Sequence, residues 1–278
     1  MSLSIVQTLP AADNRFARLL KEWRQRRRLS QLDLALSSGA SQRHVSFLES
    51  GRANPSRKMI LQLSETLDVP LRERNAWLSA AGFAPLFEAR PLDDPQMGQV
   101  MSAVRMMLGA HEPFPAIALD RAWDVLMANV AFDRLVALLG GDVWARVGGD
   151  QRNLMRLFFH PQGIRSLVTN WSAVGPLIWR RAEREAEAVG GRQMKAVLAE
   201  LAPYQDADLL WSGAGAALTP ILPFNVEVNG LRISMFAIIA TFGTAQDITA
   251  DELRIETLFP ADAETEALFR GPPSDAKR

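Results

Sequence analysis

The sequence predicts a multidomain protein in which an all-α bundle of five helices precedes an α+β domain with an antiparallel five-stranded sheet. At 278 residues the chain is long enough for two domains. Residues 14–81 carry apolar side chains at helical spacing, whereas the chain after residue 111 alternates between helical and short strand-like patterns. These patterns place the first domain at residues 1–82, a linker and connecting helix at 83–110, and the second domain at 111–278.

Charge is distributed unevenly along a chain whose formal net charge is zero. Residues 1–80 contain 13 Lys or Arg against 7 Asp or Glu, a charge of +6, so the remainder carries −6. A basic first domain suits a polyanionic partner. The absence of cysteine excludes disulfides, thiolate nucleophiles and cysteine metal sites. With no signal-peptide pattern and no apolar run long enough for a membrane helix, we expect a cytoplasmic protein without membrane insertion.

The first domain begins with a helix over residues 14–28, which has Phe16, Leu19, Leu20 and Trp23 on one face. Four arginines follow within residues 24–28, where they either complement the helix dipole or contact phosphates. The fourth and fifth helices are expected over residues 57–67 and 71–81, the latter bracketed by a proline and a glycine.

Between these lie two short helices joined by a tight turn. Ser30 is predicted to cap the second helix, which would bury Leu32, Ala35 and Leu36, and Gly39 would end it because glycine takes a positive φ without strain. The third helix would start after Ser41 and bury Val45 and Leu48. Its first turn would then present three polar residues, Gln42, Arg43 and Ser46, whose groups can reach base edges in a major groove. Read alone, the same three residues also fit a solvated helix face.

The pattern of Gln31, Gly39, Ser41-Gln42 and the run at 48–56 (Leu-Glu-Ser-Gly-Arg-Ala-Asn-Pro-Ser) resembles the xenobiotic-response-element (XRE) or phage-repressor-like helix-turn-helix family. The resemblance covers roughly residues 14–82. It implies that Gln31 bonds a phosphate, that Gln42 and Arg43 reach bases, and that Arg52 and Asn54 touch the DNA backbone.

The second domain is predicted to open with two short strands, over residues 114–119 and 123–127, and to end with three, over residues 220–228, 231–242 and 253–259. The pair Asn229-Gly230 is the strongest local signal for a hairpin between two of them. Helices are expected between and around the strands, at residues 96–110, 129–139, 151–159, 161–189, 193–201, 206–211 and 265–269.

This order resembles a PAS-type sensor fold. Three segments, 123–129 (Trp-Asp-Val-Leu-Met-Ala-Asn), 153–159 (Asn-Leu-Met-Arg-Leu-Phe-Phe) and 170–174 (Asn-Trp-Ser-Ala-Val), look more closely like the ligand-binding domain of MmyB-like regulators. Residues 211–224 depart from that family's pattern, which often has a His-Pro pair where Thr219-Pro220 stands here. The resemblance implies an apolar pocket for a fatty-acyl or similar lipophilic molecule.

The chemistry of a catalytic or metal site is not evident in the sequence. The three histidines lie far apart, and neither a nucleophile-elbow nor a phosphate-loop motif occurs. Aromatic residues are plentiful in the second domain, and each fits either an ordinary core or a pocket wall. The expected ligand-binding set comprises Trp123, Asn129, Arg156, Phe158, Trp171, Trp179 and Phe236, with Asn129, Arg156 or Arg165 as the holder of a carboxylate head group.

Together these features predict a sequence-specific DNA-binding transcription regulator, not an enzyme, that acts as a homodimer on an operator and senses a small lipophilic ligand. No cofactor is expected beyond such a ligand. Two alternatives remain open at this point: a second domain that only dimerises, and an enzyme domain joined to a DNA-binding head.

Overall fold

The computed structural model describes residues 15–149, 151–187, 191–204 and 220–271. The described residues form two compact units, one from those up to residue 89 together with 246–248, and the other from the rest of the described residues. The helix predicted as a connection therefore belongs to the second unit. Among the described helices, none combines the length and apolar character needed to cross a bilayer.

The first unit contains the five predicted helices. Their bounds are α1 Arg15–Arg26, α2 Gln31–Ser38, α3 Gln42–Glu49, α4 Arg57–Thr66 and α5 Leu71–Ala80. All five contribute to one core, in which the rings of Phe16 and Trp77 meet edge to face at 5.6 Å. Val45 and Leu48 of α3 are fully buried, as their spacing predicts.

The buried face of α2 differs from the prediction. Leu32 and Leu36 are 47% and 73% exposed, while Leu34 is fully buried beside Ala35. Leucines at every second position lie on nearly opposite sides of a helix, so α2 offers two apolar faces and its own periodicity does not choose between them. Packing against the other helices determines which of the two faces is buried.

The second unit is built on the predicted five-stranded antiparallel sheet. Its strands are β1 Ala116–Leu119, β2 Val125–Ala128, β3 Phe224–Val228, β4 Leu231–Thr241 and β5 Arg254–Pro260, in the order β2-β1-β5-β4-β3. Asn229 and Gly230 both have positive φ, at 50° and 78°, and join Val228 to Leu231 as the hairpin signal predicts.

Eight α-helices accompany this sheet in the described part of the unit. They are α6 Gly98–Ala110, α7 Val130–Gly140, α8 Val143–Val147, α9 Leu154–Phe159, α10 Trp171–Ala186, α11 Arg192–Leu201, α12 Ile248–Glu252 and α13 Ala263–Arg270. The helix predicted at residues 206–211 lies outside the described residues. Helix α6 packs through Val104 and Leu108 against Ala116, Ala118 and Ile255 on one face of the sheet.

The helix predicted over residues 161–189 begins only at Trp171. A 3-10 helix at Arg165–Leu167 precedes it, and the last residues before α10 are held to β3: the backbone N–H of Thr169 donates to the carbonyl of Asn225 at 2.9 Å, and the side chain of Asn170 bonds Pro223 and Asn225. These long-range hydrogen bonds replace the helical ones that local periodicity predicts.

Candidate functional sites

The turn between α2 and α3 is fixed by local caps. Ser30 Oγ accepts from the backbone N–H of Asp33 at 3.0 Å while the Asp33 carboxylate accepts from the Ser30 N–H at 2.9 Å, a reciprocal capping box. Gly39 ends α2 with φ 67°, and Ser41 Oγ accepts from the N–H of His44 at 3.2 Å. Helix α3 consequently starts at Gln42.

The structure places the predicted DNA-contacting residues on α2, α3 and the loop that follows. Val45 and Leu48 face the core, so the first turn of α3 points its polar residues outward. Within the predicted set, Ser41, Gln42, Arg43, Arg52 and Asn54 are exposed, whereas Gln31 and Ser46 are half-buried. The guanidinium of Arg43 lies 5.2 Å from the ring of Phe47, within cation–π distance.

Glu49, at the end of α3, anchors a polar cluster that the sequence prediction missed. Arg24 donates two hydrogen bonds to its carboxylate, at 2.6 and 2.8 Å, and Gln31 Nε2 donates a third at 2.8 Å. Burial would raise the pKa of the Glu49 carboxyl, but hydrogen bonds from Arg24 and Gln31 and the charges of Arg24 and Lys21 outweigh it and lower the pKa. A carboxylate is unfavourable on a helix that approaches a polyanion unless a basic side chain neutralises it. The presence of Glu49 on α3 therefore indicated, already in the sequence, that it has a basic partner.

Two arginines near the end of α1 make contacts within the bundle. Arg24 is engaged with Glu49, and Arg27 donates to the carbonyls of Leu67 and Asp68 at 2.8 and 2.7 Å. Both side chains therefore hold the bundle together through specific contacts, in addition to any effect on the helix dipole.

The second unit contains a cavity of about 340 Å³ between the sheet and helices α7, α9 and α10. Its wall is mostly aliphatic and aromatic, and it includes Trp123, Phe158 and Phe236 from the predicted set. The ring of Phe236 also stacks on Phe259 at 5.7 Å. A volume of this size falls at the lower end of the roughly 300–1,000 Å³ typical of small-molecule sites.

Three residues predicted to hold a head group lie away from the lining of this cavity. The Asn129 side chain accepts from the N–H groups of Ala116 and Phe132 and donates to two carbonyls, so all its hydrogen-bonding capacity is used in the core. Arg156 forms a two-bond pair with Glu200, at 2.9 and 2.7 Å. Arg165 donates to the carbonyl of Tyr204 and stacks on Trp171. All three side chains are thus engaged in contacts outside the cavity lining.

Trp171 and Trp179 are also absent from the cavity lining. Both rings pack edge to face against Phe159, at 4.9 and 5.1 Å, and Trp179 donates its indole N–H to Glu183. Both indoles belong to the aromatic core beside the cavity and not to its lining.

Arg181 of α10 and Glu256 of β5 are the charged residues in the cavity lining. Arg181 Nη2 donates to Glu256 Oε1 at 2.8 Å, and its guanidinium lies 4.6 Å from the ring of Trp123. Glu185 joins the group, because it accepts from Arg181 Nε at 3.1 Å and from the Trp123 indole N–H at 2.6 Å. Trp123 adopts a positive φ of 66°, a strained conformation that this packing holds in place.

Two family models match the chain. A helix-turn-helix model matches residues 20–74, and the model of the MmyB-like transcription regulator ligand binding domain matches residues 100–270, more than half of the chain. The chain belongs to the MmyB-like transcription regulators. Its N-terminal part is of the XRE type.

The MmyB-like regulator has only a distant similarity to a solved structure. An RNA-binding light-oxygen-voltage receptor aligns at 13% identity with a TM-score of 0.26, over 92% of this chain. The chain spans 62% of that receptor's length. No curated protein matches the chain.

In this MmyB-like regulator, Glu256 is a site residue that the sequence prediction missed, although the sequence contains a signal for it. Strand alternation puts Glu256 on the same face as Leu258, which lines the cavity, yet only 8% of Glu256 is exposed. A buried charge in a strand requires a partner. The partner, Arg181, is 75 positions away and is therefore not visible in local sequence.

Among the described residues, none of the acidic, cysteine or histidine groups forms a cluster able to hold a metal ion.

Proposed function

We propose that this regulator binds a specific operator as a homodimer in the cytoplasm, and that its PAS-like second unit senses a small lipophilic ligand, such as a fatty-acyl compound, without catalysing a reaction on it. The observation that carries the proposal is an apolar cavity in a chain that also presents a helix-turn-helix. A ligand can alter operator binding only if it prefers one arrangement of the dimer over another.

On the DNA, Gln42 and Arg43 are proposed to contact base edges from the first turn of α3, with Ser41 and Ser46 beside them. Arg52 and Asn54, in the exposed loop after α3, are proposed to contact the phosphate backbone. Gln31 is also proposed to reach a phosphate, in a position fixed by its hydrogen bond to Glu49.

Replacing Gln42 by alanine should weaken binding to the cognate operator by about 1–3 kcal/mol, because the substitution removes a paired hydrogen bond to a base. The operator is first selected from random duplexes with the wild-type chain, and affinities are then measured by fluorescence anisotropy at two salt concentrations. Gln193→Ala, which truncates an exposed glutamine of α11, is the matched control and should bind as the wild type does. Equal affinities of Gln42→Ala and the wild type would contradict the assignment.

For the ligand, the cavity wall favours an alkyl chain. Leu135, Val136, Ile178, Val226 and Met235 lie in this wall, which offers dispersion contacts along its length but few polar partners. Of the ligand-binding residues predicted from the sequence, Trp123, Phe158 and Phe236 line the cavity, and we propose that they contact the ligand.

The Ile178→Trp substitution should fill part of the cavity and weaken the binding of dodecanol by about tenfold or more, because the larger side chain leaves less room for the alkyl chain of the ligand. Uptake by the delipidated full chain is measured by isothermal titration and by native mass spectrometry. Leu138→Trp places the same side chain on α7 at a position that is 42% exposed and outside the cavity lining, and it should bind dodecanol normally. If the wild-type chain takes up no lipophilic molecule at all, the second unit is better explained as a dimerisation module.

A further inference from the structure

We infer that the charged pair of the cavity, Arg181 and Glu256, makes this site selective for a ligand with an uncharged polar head group, such as an amide or an alcohol, over a carboxylate. The inference rests on the proposed ligand function and adds the chemical class of the head group.

The pair lies where the cavity meets solvent. Glu256 is directly opposite Ile239 in the β4–β5 register, and Ile239 is 42% exposed. Leu177, one turn before Arg181 on α10, also lines the cavity and is 47% exposed. An amphiphilic ligand places its chain in the apolar interior and its polar end at this rim, next to Arg181 and Glu256.

Within the described residues, the ion pairs around Arg181 and Glu256 form a network with equal numbers of positive and negative charges. Arg181 pairs with Glu256 at 2.8 Å and with Glu185 at 3.1 Å, and Arg254 Nη1 lies 2.5 Å from Glu185. Two guanidinium groups thus neutralise two carboxylates in a site where their side chains are at most 25% exposed. A ligand carboxylate would bring a third negative charge into this group.

The incoming carboxylate would gain little from Arg181. If it accepts from Nη1 alone, it lies beside the like charge of Glu256, and if it forms a two-bond pair that includes Nη2, it displaces Glu256 and leaves that carboxylate buried beside a like charge. Separating a buried ion pair leaves an uncompensated charge, which is the most costly outcome for such a pair. The intact pair therefore disfavours fatty acids in their ionised form.

An uncharged head group can bind without breaking the pair. Within the described residues, Arg181 Nη1 and Glu256 Oε2 have no hydrogen-bond partner in the structure. One can donate and the other can accept, side by side. A primary amide has both a carbonyl acceptor and an N–H donor, and a hydroxyl group also acts in both ways, so each complements the pair.

The test compares dodecanamide, dodecanol and dodecanoate on the delipidated full chain, below their micelle concentrations and at a pH where the acid is ionised. We expect the dissociation constants of the amide and the alcohol to be lower than that of the carboxylate by a factor of about ten or more, a difference in binding free energy of about 1.4 kcal/mol or more. In Glu256→Gln the preference should reverse, because the guanidinium groups of Arg181 and Arg254 then share the carboxylate of Glu185, and a ligand carboxylate restores the balance of charge. Glu227→Gln, at a half-exposed glutamate outside the cavity lining, should keep the wild-type preference.

Each result separates the inference from the function on which it rests. If none of the three compounds binds, the proposed ligand function itself fails. Tight binding of dodecanoate, equal to or better than that of the amide, overturns the head-group inference and leaves lipophilic sensing intact. The wild-type comparison decides the matter even if Glu256→Gln does not fold, and circular dichroism identifies that case.

Discussion

Replacing Glu49 by alanine is expected to destabilise the helix-turn-helix unit by about 3–5 kcal/mol, because it leaves the guanidinium of Arg24 buried without its carboxylate. The side chains of Glu49 and Arg24 are only 4% and 12% exposed, and two hydrogen bonds of 2.6 and 2.8 Å join them. The same substitution releases the amide of Gln31. We therefore expect DNA affinity to fall together with stability.

Urea unfolding of the full chain, followed by hydrogen exchange and mass spectrometry of peptides from each unit, measures this loss separately for the two units. Glu22→Ala is the control: Glu22 is 48% exposed and lies 3.9 Å from Arg18, and such surface pairs contribute at most about 1 kcal/mol. A Glu49→Ala protein that unfolds at the same urea concentration as Glu22→Ala would show that the buried pair contributes nothing.

The same carboxylate predicts how stability depends on pH. The pKa of Glu49 is lower in the folded chain than in the unfolded chain, so the unfolded state binds the proton more readily. Its stabilising contribution is full above the unfolded-state pKa and is lost as the pH falls through the folded-state value. Glu49→Gln should therefore remove part of the acid sensitivity of the helix-turn-helix unit.

The Asn129→Ala substitution is expected to destabilise the second unit by a comparable amount, about 3–5 kcal/mol. Its side chain is 6% exposed and makes four hydrogen bonds to the backbone, as acceptor from Ala116 and Phe132 and as donor to Phe114 and Leu108. Removing the amide takes away the cap of α7 and leaves buried backbone groups of α6 and β1 without partners.

Asp262→Ala is the matched comparison, because Asp262 also caps a helix, through a 2.7 Å hydrogen bond to the N–H of Thr265, but is exposed. That change should cost only about 1 kcal/mol. Thermal unfolding followed by far-ultraviolet circular dichroism measures both variants, and equal melting temperatures for the two would contradict the buried role of Asn129.

Features set by neighbouring residues were predictable from the sequence. The caps at Ser30 and Ser41, the left-handed turn at Gly39 and the hairpin at Asn229-Gly230 each follow from the chemistry of a few consecutive side chains. The five helices and the five-stranded sheet follow from their spacing. These signals are local, so they do not depend on contacts with distant parts of the chain.

Features set by contacts across the fold were not predictable. Leu34 is buried instead of Leu32 because of helices elsewhere in the bundle, and residues 168–170 bond β3 rather than extending α10. The polar rim unites Arg181 with Glu256, and neither residue shows in its own segment that the other is near. The aromatic and arginine content of the second domain indicated a pocket but not which of those side chains form it.

The cavity wall is assembled from side chains of β1, α7, α9, α10, β3, β4 and β5, all between residues 117 and 258, whereas the proposed DNA contacts lie between residues 31 and 54. No position serves both purposes. On the proposed assignment, substitutions in the cavity wall would change the preferred ligand without altering the residues proposed to contact the operator, so the two specificities could diverge independently in evolution.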